Sequence, residues 1–373
     1  MNDEFYIKRT LKLASKAQGL TSPNPVVGAV IVRNGKIISE AFHIKPGTAH
    51  AEALAIEKAG NRAKGSTLYV NLEPCCHTEK RTPPCTKSII NAGIKKVVIA
   101  MSDPNAKVSG KGIMELRDAG ISVKSGVLED EAKRLNEFYT KYITSRKPFV
   151  ILKIAMTLDG KIATPEGESK WITGEKARKI VHRLRSKVDA ILTAIGTVKA
   201  DDPLLTSRIK GGKDPKRIVI DPELDIPLEA KILRTPPETI IVTKNVNSKA
   251  DYLEKAGIRL IHFKEKLDLN WLLEKLGEME ITSVLIEGGS SINSHALEDG
   301  IVDKVMFFIA PVIIGGRESF PAVGGKTYKR LNEAHRIKDI SIKRIGKDIL
   351  IEGYLRQSEK SNGNDADIVR NFI

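Results

Sequence analysis

The sequence predicts two α/β domains, the first of them a three-layer sandwich. Short apolar runs of strand length alternate with amphipathic helical segments, the pattern of a sheet covered by helices on its faces. With 373 residues, the chain also exceeds one ordinary domain and suits two. We place the join in segment 139–147. The expected division is a first domain over residues 1–146, a second over 147–356 and a polar, disordered tail over 357–373.

The first domain is expected to contain five strands and four helices. Asn34-Gly35 favours a tight hairpin turn between the first two strands. His50 and Glu52 fall in the first turn of the second helix, and the third strand points at a cysteine-rich loop. The predicted helices are 3–18, 49–59, 85–91 and 113–119, and the predicted strands are 26–32, 36–39, 67–71, 96–100 and 121–125.

The second domain begins after Pro148 with an apolar strand. The predicted strands are 149–156, 190–193, 217–221, 239–243 and 283–286, followed by antiparallel strands within 304–314 and 336–355. Helices are expected over 175–187, 250–256 and 268–276, and one more is expected to begin near Ile292.

The most informative stretch runs from Thr48 to Cys85. It contains His50-Ala51-Glu52 and, one predicted strand later, Glu73-Pro74-Cys75-Cys76-His77 and Pro83-Pro84-Cys85. His-x-Glu followed by Pro-Cys is typical of zinc-dependent base deaminases. One imidazole and two thiolates would hold zinc with an open position for a water, whose pKa falls to about 7 on the metal. Glu52 is then the natural proton shuttle.

The second thiolate could come from Cys76 or Cys85, because Thr78 stands where the common Pro-Cys-x-x-Cys form has its second cysteine. Side chains of adjacent residues diverge, so Cys75 and Cys76 are poorly placed to share one ion. We therefore predict Cys75 and Cys85 as the thiolate ligands beside His50, with Cys76 packed nearby. The alternative for any cysteine is a small buried apolar residue.

The formal net charge of +15 raises the question of nucleic-acid binding. The charge is spread out: residues 1–146 carry 23 basic and 14 acidic groups, and residues 147–356 carry 36 and 29. With no basic arm and 5% aromatic residues, the pattern favours phosphorylated small molecules over nucleic acid. The lack of an 18-residue apolar run argues against a membrane anchor. Cysteines gathered at one metal-like site, with no apolar leader, favour a cytoplasmic setting.

A second group of polar residues lies where strands of the second domain end. Glu287-Gly288-Gly289 opens a helix whose backbone amides could hold a phosphate, although the Gly-x-Gly-x-x-Gly pattern is missing. Lys153 lies inside an apolar strand, and a pair with Glu287 could position a sugar hydroxyl. Arg185 and Arg208 could bind a substrate phosphate, because a guanidinium offers a planar fork to the phosphate oxygens. Taken singly, each of these residues also fits an ordinary turn, helix surface or loop: Ser169, Trp171, Arg185, Thr197, Asp201, Asp202, Thr206 and Arg208.

The order and combination of these motifs resemble the bifunctional deaminase–reductases of riboflavin biosynthesis. The matching stretches are Ser22-Pro23-Asn24-Pro25-Val26-Val27-Gly28-Ala29, His50-Ala51-Glu52, Glu73-Pro74-Cys75, Thr82-Pro83-Pro84-Cys85, Leu158-Asp159-Gly160-Lys161, Ser169-Lys170-Trp171-Ile172-Thr173, Ala200-Asp201-Asp202-Pro203-Leu204-Leu205-Thr206 and Ile286-Glu287-Gly288-Gly289. The resemblance implies a cytidine-deaminase-like first domain and a dihydrofolate-reductase-like second domain. The first would use Zn2+ to deaminate 2,5-diamino-6-(5-phosphoribosylamino)pyrimidin-4-one. The second would use NADPH to reduce the ribosyl group to ribityl.

The resemblance also implies roles for individual residues. Zinc would be held by His50, Cys75 and Cys85, and the catalytic residues would be Glu52, Lys153 and Glu287. The deaminase substrate would contact Asn24, His43, His77 and Lys80, with Arg81 as the alternative to Lys80 because the cysteine loop is one residue longer than usual. The reductase substrate would contact Ser169, Arg185, Leu205, Arg208 and Glu287. NADPH would contact Ala155, Trp171, Thr197, Asp201, Gly289, Ser290, Ser291, Ile292 and Asn293.

The expected partners are phosphorylated pyrimidines and further copies of the chain joined through the reductase domain. Three other functions stay open at this stage. A tRNA base deaminase would leave residues 147–356 without a role. A zinc-stabilised binding module would need a fourth protein ligand and would tolerate loss of Glu52. The third alternative is a protein in which only the reductase half is active.

Overall fold

The computed structural model describes residues 2–77, 83–325 and 328–355. Its first sheet has the strand order β2-β1-β3-β4-β5, antiparallel on the side of β1 and parallel from β3 to β5. Its elements are α1 (Asp3–Ala14), β1 (Gly28–Arg33), β2 (Lys36–Phe42), α2 (Ala51–Ala59), β3 (Thr67–Leu72), α3 (Cys85–Asn91), β4 (Lys96–Met101), α4 (Lys111–Asp118), β5 (Ser122–Lys124), α5 (Glu129–Leu135) and α6 (Glu137–Ser145).

The first sheet lies between two helical layers, as predicted. Helices α1 and α5 contact one another and the sheet, while α2 packs on β1 and β2 and contacts α3. The central strands β1, β3 and β4 are rich in β-branched residues and buried on both faces, which suits the middle of a sandwich. Asn34 and Gly35 both have positive φ, 48° and 73°, so the hairpin turn is of the expected kind.

The segment 139–147, predicted as a join, lies mostly in helix α6, and α5 before it was also missed. The reason is local. Helix α5 has the sequence Glu-Asp-Glu-Ala-Lys-Arg-Leu, and Ala132 is its one fully buried residue, so it has no apolar stripe for a periodicity argument to find.

The second sheet has nine strands in the order β11-β10-β9-β8-β12-β6-β13-β16-β15. The strands from β11 to β13 are parallel, and β16 and β15 follow antiparallel. The elements of this domain are β6 (Phe149–Thr157), β7 (Lys161–Ala163), α7 (Glu175–Arg185), β8 (Ala190–Ala194), α8 (Ile195–Asp201), β9 (Lys216–Ile220), α9 (Lys231–Arg234), β10 (Thr239–Thr243), α10 (Ser248–Lys255), β11 (Arg259–His262), α11 (Leu269–Glu278), β12 (Ser283–Ile286), α12 (Ser290–Glu298), β13 (Lys304–Ala310), β14 (Phe320–Pro321), β15 (Ile337–Ile345) and β16 (Asp348–Leu355).

Two sequence expectations need correction here. The strand predicted over 304–314 ends at Ala310, before a proline, and the backbone N–H groups of Ile314 and Gly315 donate to the side chain of Asp159 instead of to a sheet. Strand β11 and helix α8 were missed because both are short, and β11 is an edge strand with mostly exposed side chains. The region 336–355 is an antiparallel hairpin, as expected.

The strand order of the second sheet positions a site. Strand β12 returns late in the chain and inserts between β8 and β6. Because these strands are parallel, their carboxyl ends meet at one edge, where the chain changes direction and ligands bind in such folds. Lys153, Thr197 and Glu287 all lie at or near this edge.

The two sheets are joined by polar contacts as well as by the chain. Helix α6 contacts strand β6, and Lys141 pairs with Asp303. Glu137 accepts a 2.6 Å hydrogen bond from the Tyr354 hydroxyl and pairs with Lys304. Within the described ranges, no helix is long and apolar enough to cross a bilayer.

Candidate active sites

Three side chains in the first domain converge on one point. His50 is the N-cap residue of α2, Cys85 is the first residue of α3, and Cys75 lies in the loop that follows β3. His50 Nδ1 lies 3.5 Å from Cys75 Sγ and 3.2 Å from Cys85 Sγ. The three ligand atoms all lie within 4.8 Å of one another. The structure therefore brings together the three residues that the sequence singled out for a metal.

The donor set and its spacing fit zinc. Tetrahedral bonds of about 2.3 Å to sulfur and about 2.05 Å to nitrogen separate the two ligand atoms by about 3.6 Å. The distances between His50 and the two cysteines are close to this value. None of the three cysteines, all of which are described, is in a disulfide. Two thiolates and one imidazole leave the fourth position of a tetrahedral zinc ion open, which is the catalytic rather than the structural arrangement.

Cys76 is outside this cluster. Its side chain is half-buried and packs against the small group formed by Cys75, Cys85 and Val108. Burial raises the pKa of the Cys76 thiol, with a further contribution from the charge of Glu115. A neutral thiol in contact with apolar neighbours suits a packing role.

Glu52 lies two residues after the ligand His50, in the first turn of α2. It is 3% exposed, and burial raises the pKa of its carboxyl group. Its Oε2 atom is buried without a hydrogen-bond partner among the described residues. A buried carboxylate oxygen that lacks a protein partner and faces a metal cluster is well suited to hold a water or a substrate proton.

The cysteine loop is held by a residue whose role the sequence did not reveal. Glu73 is buried, and its carboxylate accepts hydrogen bonds from the backbone N–H groups of Asp103, Gly110 and Ile113 at 3.0–3.1 Å. These bonds join the end of β3 to the loop after β4 and to helix α4. The signal available in the sequence is the polar Glu73 directly after an apolar strand.

His43 and Asn24 form a hydrogen-bonded pair beside the metal cluster. The carbonyl of Ala49 can only accept, so Nδ1 of His43, 3.2 Å away, carries the proton. Burial lowers the pKa of His43 and keeps the ring neutral, so Nε2 accepts from the Asn24 amide at 3.2 Å. This arrangement fixes the amide of Asn24 and leaves its carbonyl oxygen as the acceptor for a ligand.

A cleft of about 620 Å³, within the usual size range of small-molecule sites, is lined by Asn24, His43, His50, Glu52, Glu73 and Cys75. His77 is also in its wall, whereas Lys80 and Arg81 lie outside the described residues. Several lining residues were not anticipated from sequence: Asp103, Asn105, Tyr139, Tyr142, Arg146 and Glu280. Burial raises the pKa of Asp103 to about 6, and its carboxylate accepts a 2.9 Å hydrogen bond from Tyr139.

A charged triad occupies the carboxyl edge of the second sheet. Lys153 Nζ donates to Glu287 Oε2 at 3.0 Å, and Arg185 binds both oxygens of the same carboxylate at 2.7 and 3.0 Å. Burial alone would raise the pKa of Glu287, but Arg185 and Lys153 hold it well below its usual range. The pairing of Lys153 with Glu287 is the one expected from the sequence, and the structure adds Arg185 to it.

The expected substrate-binding loop of the second domain has an unusual backbone. Asp202, Leu205 and Arg208 all have positive φ, from 39° to 53°, a region that costs non-glycine residues about 1 kcal/mol or more. Arg185 braces this loop by donating to the carbonyl of Thr206 at 3.1 Å. Such conformations persist where surrounding contacts enforce them, and they are concentrated at ligand sites. Ser169 is half-buried in a separate loop.

The residues expected to hold NADPH lie along the same edge. Trp171 is 67% exposed and its ring stacks under the Arg178 guanidinium at 4.4 Å, while Lys170 pairs with Asp201 at 2.7 Å. Thr197 and Asp201 are in α8, directly after β8, and Ala155 is near the end of β6. The exposed indole therefore forms an open flat surface beside the loop.

Helix α12 completes this group. Gly289 is its N-cap residue, and a Cβ at Gly289 would meet no atom within 4 Å, so the space in front of the helix is open. Ser290 Oγ and Asn293 Oδ1 are buried without a hydrogen-bond partner among the described residues. Open space, free helix N–H groups and unsatisfied polar atoms fit a phosphate-bearing cofactor.

Comparison with known families finds two matches, one in each half of the chain. Residues 1–101 match the family described as cytidine and deoxycytidylate deaminase zinc-binding region. Residues 148–351 match the RibD C-terminal domain.

The similarity to individual proteins extends over both domains. The chain is 46% identical to riboflavin biosynthesis protein RibD of Aquifex aeolicus, covering 94% of this chain and 97% of the relative. It is 38% identical to the Escherichia coli protein of the same name, covering 94% and 99%. The solved Acinetobacter baumannii RibD, 36% identical, covers 95% of this chain and 99% of its own with a TM-score of 0.87. A Thermotoga maritima structure, 37% identical with the same coverage, gives 0.86.

Fold and site together define a two-domain enzyme, a zinc-binding deaminase joined to a reductase. The chain belongs to the RibD family of riboflavin biosynthesis proteins. The fold class expected from the sequence is confirmed, and so are zinc and NADPH as the cofactors of the two halves.

Proposed function

We propose that the first domain deaminates 2,5-diamino-6-(5-phosphoribosylamino)pyrimidin-4-one and that the second reduces the ribosyl group of the product to ribityl with NADPH. The Thermotoga maritima relative is described as a diaminohydroxyphosphoribosylaminopyrimidine deaminase and 5-amino-6-(5-phosphoribosylamino)uracil reductase. The observation that carries the proposal is the open His50–Cys75–Cys85 cluster next to the buried, unsatisfied Glu52. It supports hydrolysis at an amidine carbon.

The chain's own residues account for the proton transfers of deamination. Zinc held by His50, Cys75 and Cys85 would supply an acidified water as the nucleophile. The Glu52 carboxylate takes a proton from this water and delivers it to the amino group, which departs as ammonia while the carbon keeps the water's oxygen. The neutral His43 fixes the amide of Asn24, whose carbonyl oxygen can then orient the pyrimidine by accepting a hydrogen bond from it.

The triad of the second domain suits reduction of a sugar carbon. NADPH bound along the same edge of the sheet would supply the hydride. The sugar oxygen that is released needs a proton, and the donor is the ammonium of Lys153, which lies in the middle of β6 and is held there by Glu287. Glu287 stays ionised because Arg185 and Lys153 depress its pKa, so it fixes the ammonium instead of competing as an acid. Arg208 and Arg185 supply positive charge for the substrate phosphate.

Three further parts of the proposal follow the sequence analysis. The domain boundary lies at 146/147, since Arg146 caps α6 and β6 begins at Phe149. The protein works in the cytoplasm, in keeping with its cysteine cluster. It forms a homo-oligomer through the reductase domain, because the edge strand β15 exposes Ile340 and Ile342 by 57% and 68%, an arrangement that native proteins usually cover. Light scattering after size exclusion would measure the oligomeric mass.

The enzymatic proposal is tested by mass spectrometry of products from the diaminopyrimidine ribotide. Without NADPH, the purified protein should convert it to the deaminated ribotide with one equivalent of ammonia. With NADPH, the ribityl product should follow with one equivalent of cofactor oxidised. Reduction without prior deamination, or no turnover by zinc-loaded protein, would contradict the proposed order or the proposed substrate.

A further inference from the structure

We propose that the deaminase cleft has a composite ribose-phosphate subsite at the domain interface, in which Arg146 binds the 5′-phosphate and Glu280 accepts hydrogen bonds from the ribose hydroxyls. Arg146 ends the helix α6 of the first domain, and Glu280 belongs to the connection between α11 and β12 of the second. Both residues line the 620 Å³ cleft that contains the metal cluster. The inference rests on the deaminase function proposed above.

The charged residues of the cleft make only one of its ends electrostatically favourable for a phosphate. Among the described lining residues, Glu52, Glu73 and Asp103 are buried carboxylic acids on the metal side, and Arg146 is the one lysine or arginine. The amino group to be removed must lie at the metal cluster, so the ribose-phosphate arm extends away from it. A phosphate dianion is repelled by the inner carboxylates and attracted by a guanidinium, which can bind two of its oxygens.

The backbone of Arg146 is held in a conformation that is unfavourable for arginine. Its φ is 60°, in the left-handed region that glycine usually occupies after a helix. Its N–H donates to the carbonyl of Tyr142 at 2.9 Å. A Cβ on Gly277 would lie 1.9 Å from the Arg146 carbonyl oxygen, so the close approach of α11 requires glycine there. Contacts from both domains therefore fix the point from which the guanidinium extends.

Glu280 is fixed by the same helix end. Its N–H donates to the carbonyl of Gly277 at 3.0 Å, and its φ is 57°, again left-handed. Within the described residues, neither Arg146 nor Glu280 takes part in an ion pair, although both line one cleft. The Arg146 guanidinium lies over the Tyr142 ring, 5.8 Å from its centroid, which leaves its N–H groups available to a ligand. A cation and an anion that lack an ion-pair partner among the described residues are suited to two different groups of one ligand, a phosphate and a pair of hydroxyls.

The simpler role for Arg146 is to neutralise the carboxyl end of α6, where cations are favourable. That role would make no distinction between phosphorylated and unphosphorylated substrates. The proposed subsite, in contrast, would favour the phosphorylated substrate over the unphosphorylated one. A second alternative is that Lys80 or Arg81, outside the described residues, binds the phosphate instead, in which case Arg146 would not affect discrimination.

The test compares the ribotide with its dephosphorylated riboside as deaminase substrates for wild type, Arg146→Gln, Arg146→Lys and the matched control Lys147→Gln. Lys147 is the next residue, pairs with Glu274, and is not part of the cleft wall. We expect Arg146→Gln to lower kcat/KM about 30-fold for the ribotide, mainly through KM, and to leave the riboside unchanged. Arg146→Lys should recover part of the loss, and Lys147→Gln should behave as wild type.

Ribose 5-phosphate serves as an independent probe. It should inhibit the wild-type deaminase competitively, and this inhibition should weaken in Arg146→Gln and in Glu280→Gln, whereas inorganic phosphate should lose inhibition in Arg146→Gln alone. Reductase activity of the same preparations reports correct folding. An equal loss for ribotide and riboside, or no loss for either, overturns the subsite. A wild-type protein that deaminates neither compound instead overturns the proposed deaminase function.

Discussion

Ser22 of the first domain donates a 2.7 Å hydrogen bond to the carboxylate of Asp189 in the second. Asp189 is buried and also accepts from the backbone N–H and the hydroxyl of Thr282, at 2.9 and 2.7 Å, and from Lys213. Two residues after Ser22 comes Asn24, the partner of His43 in the deaminase cleft. The reductase domain thus supports the loop that carries a deaminase contact.

This support predicts that a change at Ser22 affects one activity and not the other. Ser22→Ala removes one hydrogen bond to a charged group, of about 1.5 kcal/mol, which corresponds to about a tenfold loss in deaminase kcat/KM if the bond serves only to hold the loop. Reductase kinetics should stay at the wild-type level because Asp189 keeps Thr282 and Lys213. The control is Ser15→Ala, because the exposed Ser15 hydroxyl at the end of α1 donates only to the carbonyl of Lys12 in that helix. Parallel losses of both activities would show general destabilisation instead.

Metal analysis separates the two adjacent cysteines. Cys85→Ser removes a thiolate that lies 3.2 Å from His50 Nδ1, so purified protein should contain much less than one zinc per chain. Cys76→Ser changes a residue outside the cluster and should keep the full amount. The measurement is zinc content by atomic emission after dialysis. Full zinc in Cys85→Ser would exclude Cys85 as a ligand.

Glu52→Gln separates metal binding from proton transfer. Glutamine has nearly the same shape but cannot accept the proton of the nucleophilic water, so zinc content should be unchanged while ammonia release falls about 10²- to 10⁴-fold. NADPH oxidation with the deaminated substrate should be normal. If Glu52→Gln released ammonia at the wild-type rate, another group would have to carry the proton.

The sequence predicts much of this molecule because many of its features are local. Asn34-Gly35 specifies its own turn, and the residues around His50 and Cys85 begin helices whose first residues face one another. Helix α5 was missed because its residues are nearly all charged. Arg146 and Glu280 could not be assigned to one cleft from the sequence, since they are brought to it only by the packing of α11 at Gly277. Likewise, Ser22 and Asp189 are 167 residues apart, and no local pattern in the sequence indicates their contact.

Lys153 is the residue of the triad that can be changed with least harm to the fold. Lys153→Met keeps the length of the side chain, and the bidentate pair of Arg185 with Glu287 remains. We expect loss of reductase kcat by about 10² or more, because the proton donor is gone, with NADPH affinity largely retained. Fluorescence titration with NADPH measures the affinity, and deaminase activity of the same sample is the folding control. Retained turnover would assign the proton donor elsewhere.

Glu287 gives the second domain a predictable dependence of stability on pH. Its pKa in the folded state is held below the ordinary value of 4.5 by Arg185 and Lys153, against the effect of burial. A carboxyl group with a depressed folded pKa contributes stability that is complete above the unfolded pKa and is lost as pH falls towards the folded one. The loss should therefore begin below about pH 4.5.

Urea unfolding between pH 7 and pH 3 measures this dependence in wild type and Glu287→Gln. At pH 7 the variant should be less stable by about 3 kcal/mol, because two buried cations lose their anion. Below pH 4.5 the difference should shrink, because the unfolded wild-type chain then binds a proton at Glu287 that the folded chain, with its lower pKa, does not bind, and the variant has no carboxyl group there to titrate. A constant difference across the whole range would mean that the pKa of Glu287 is the same in the folded and unfolded chains, and that the variant loses stability through packing and not through charge.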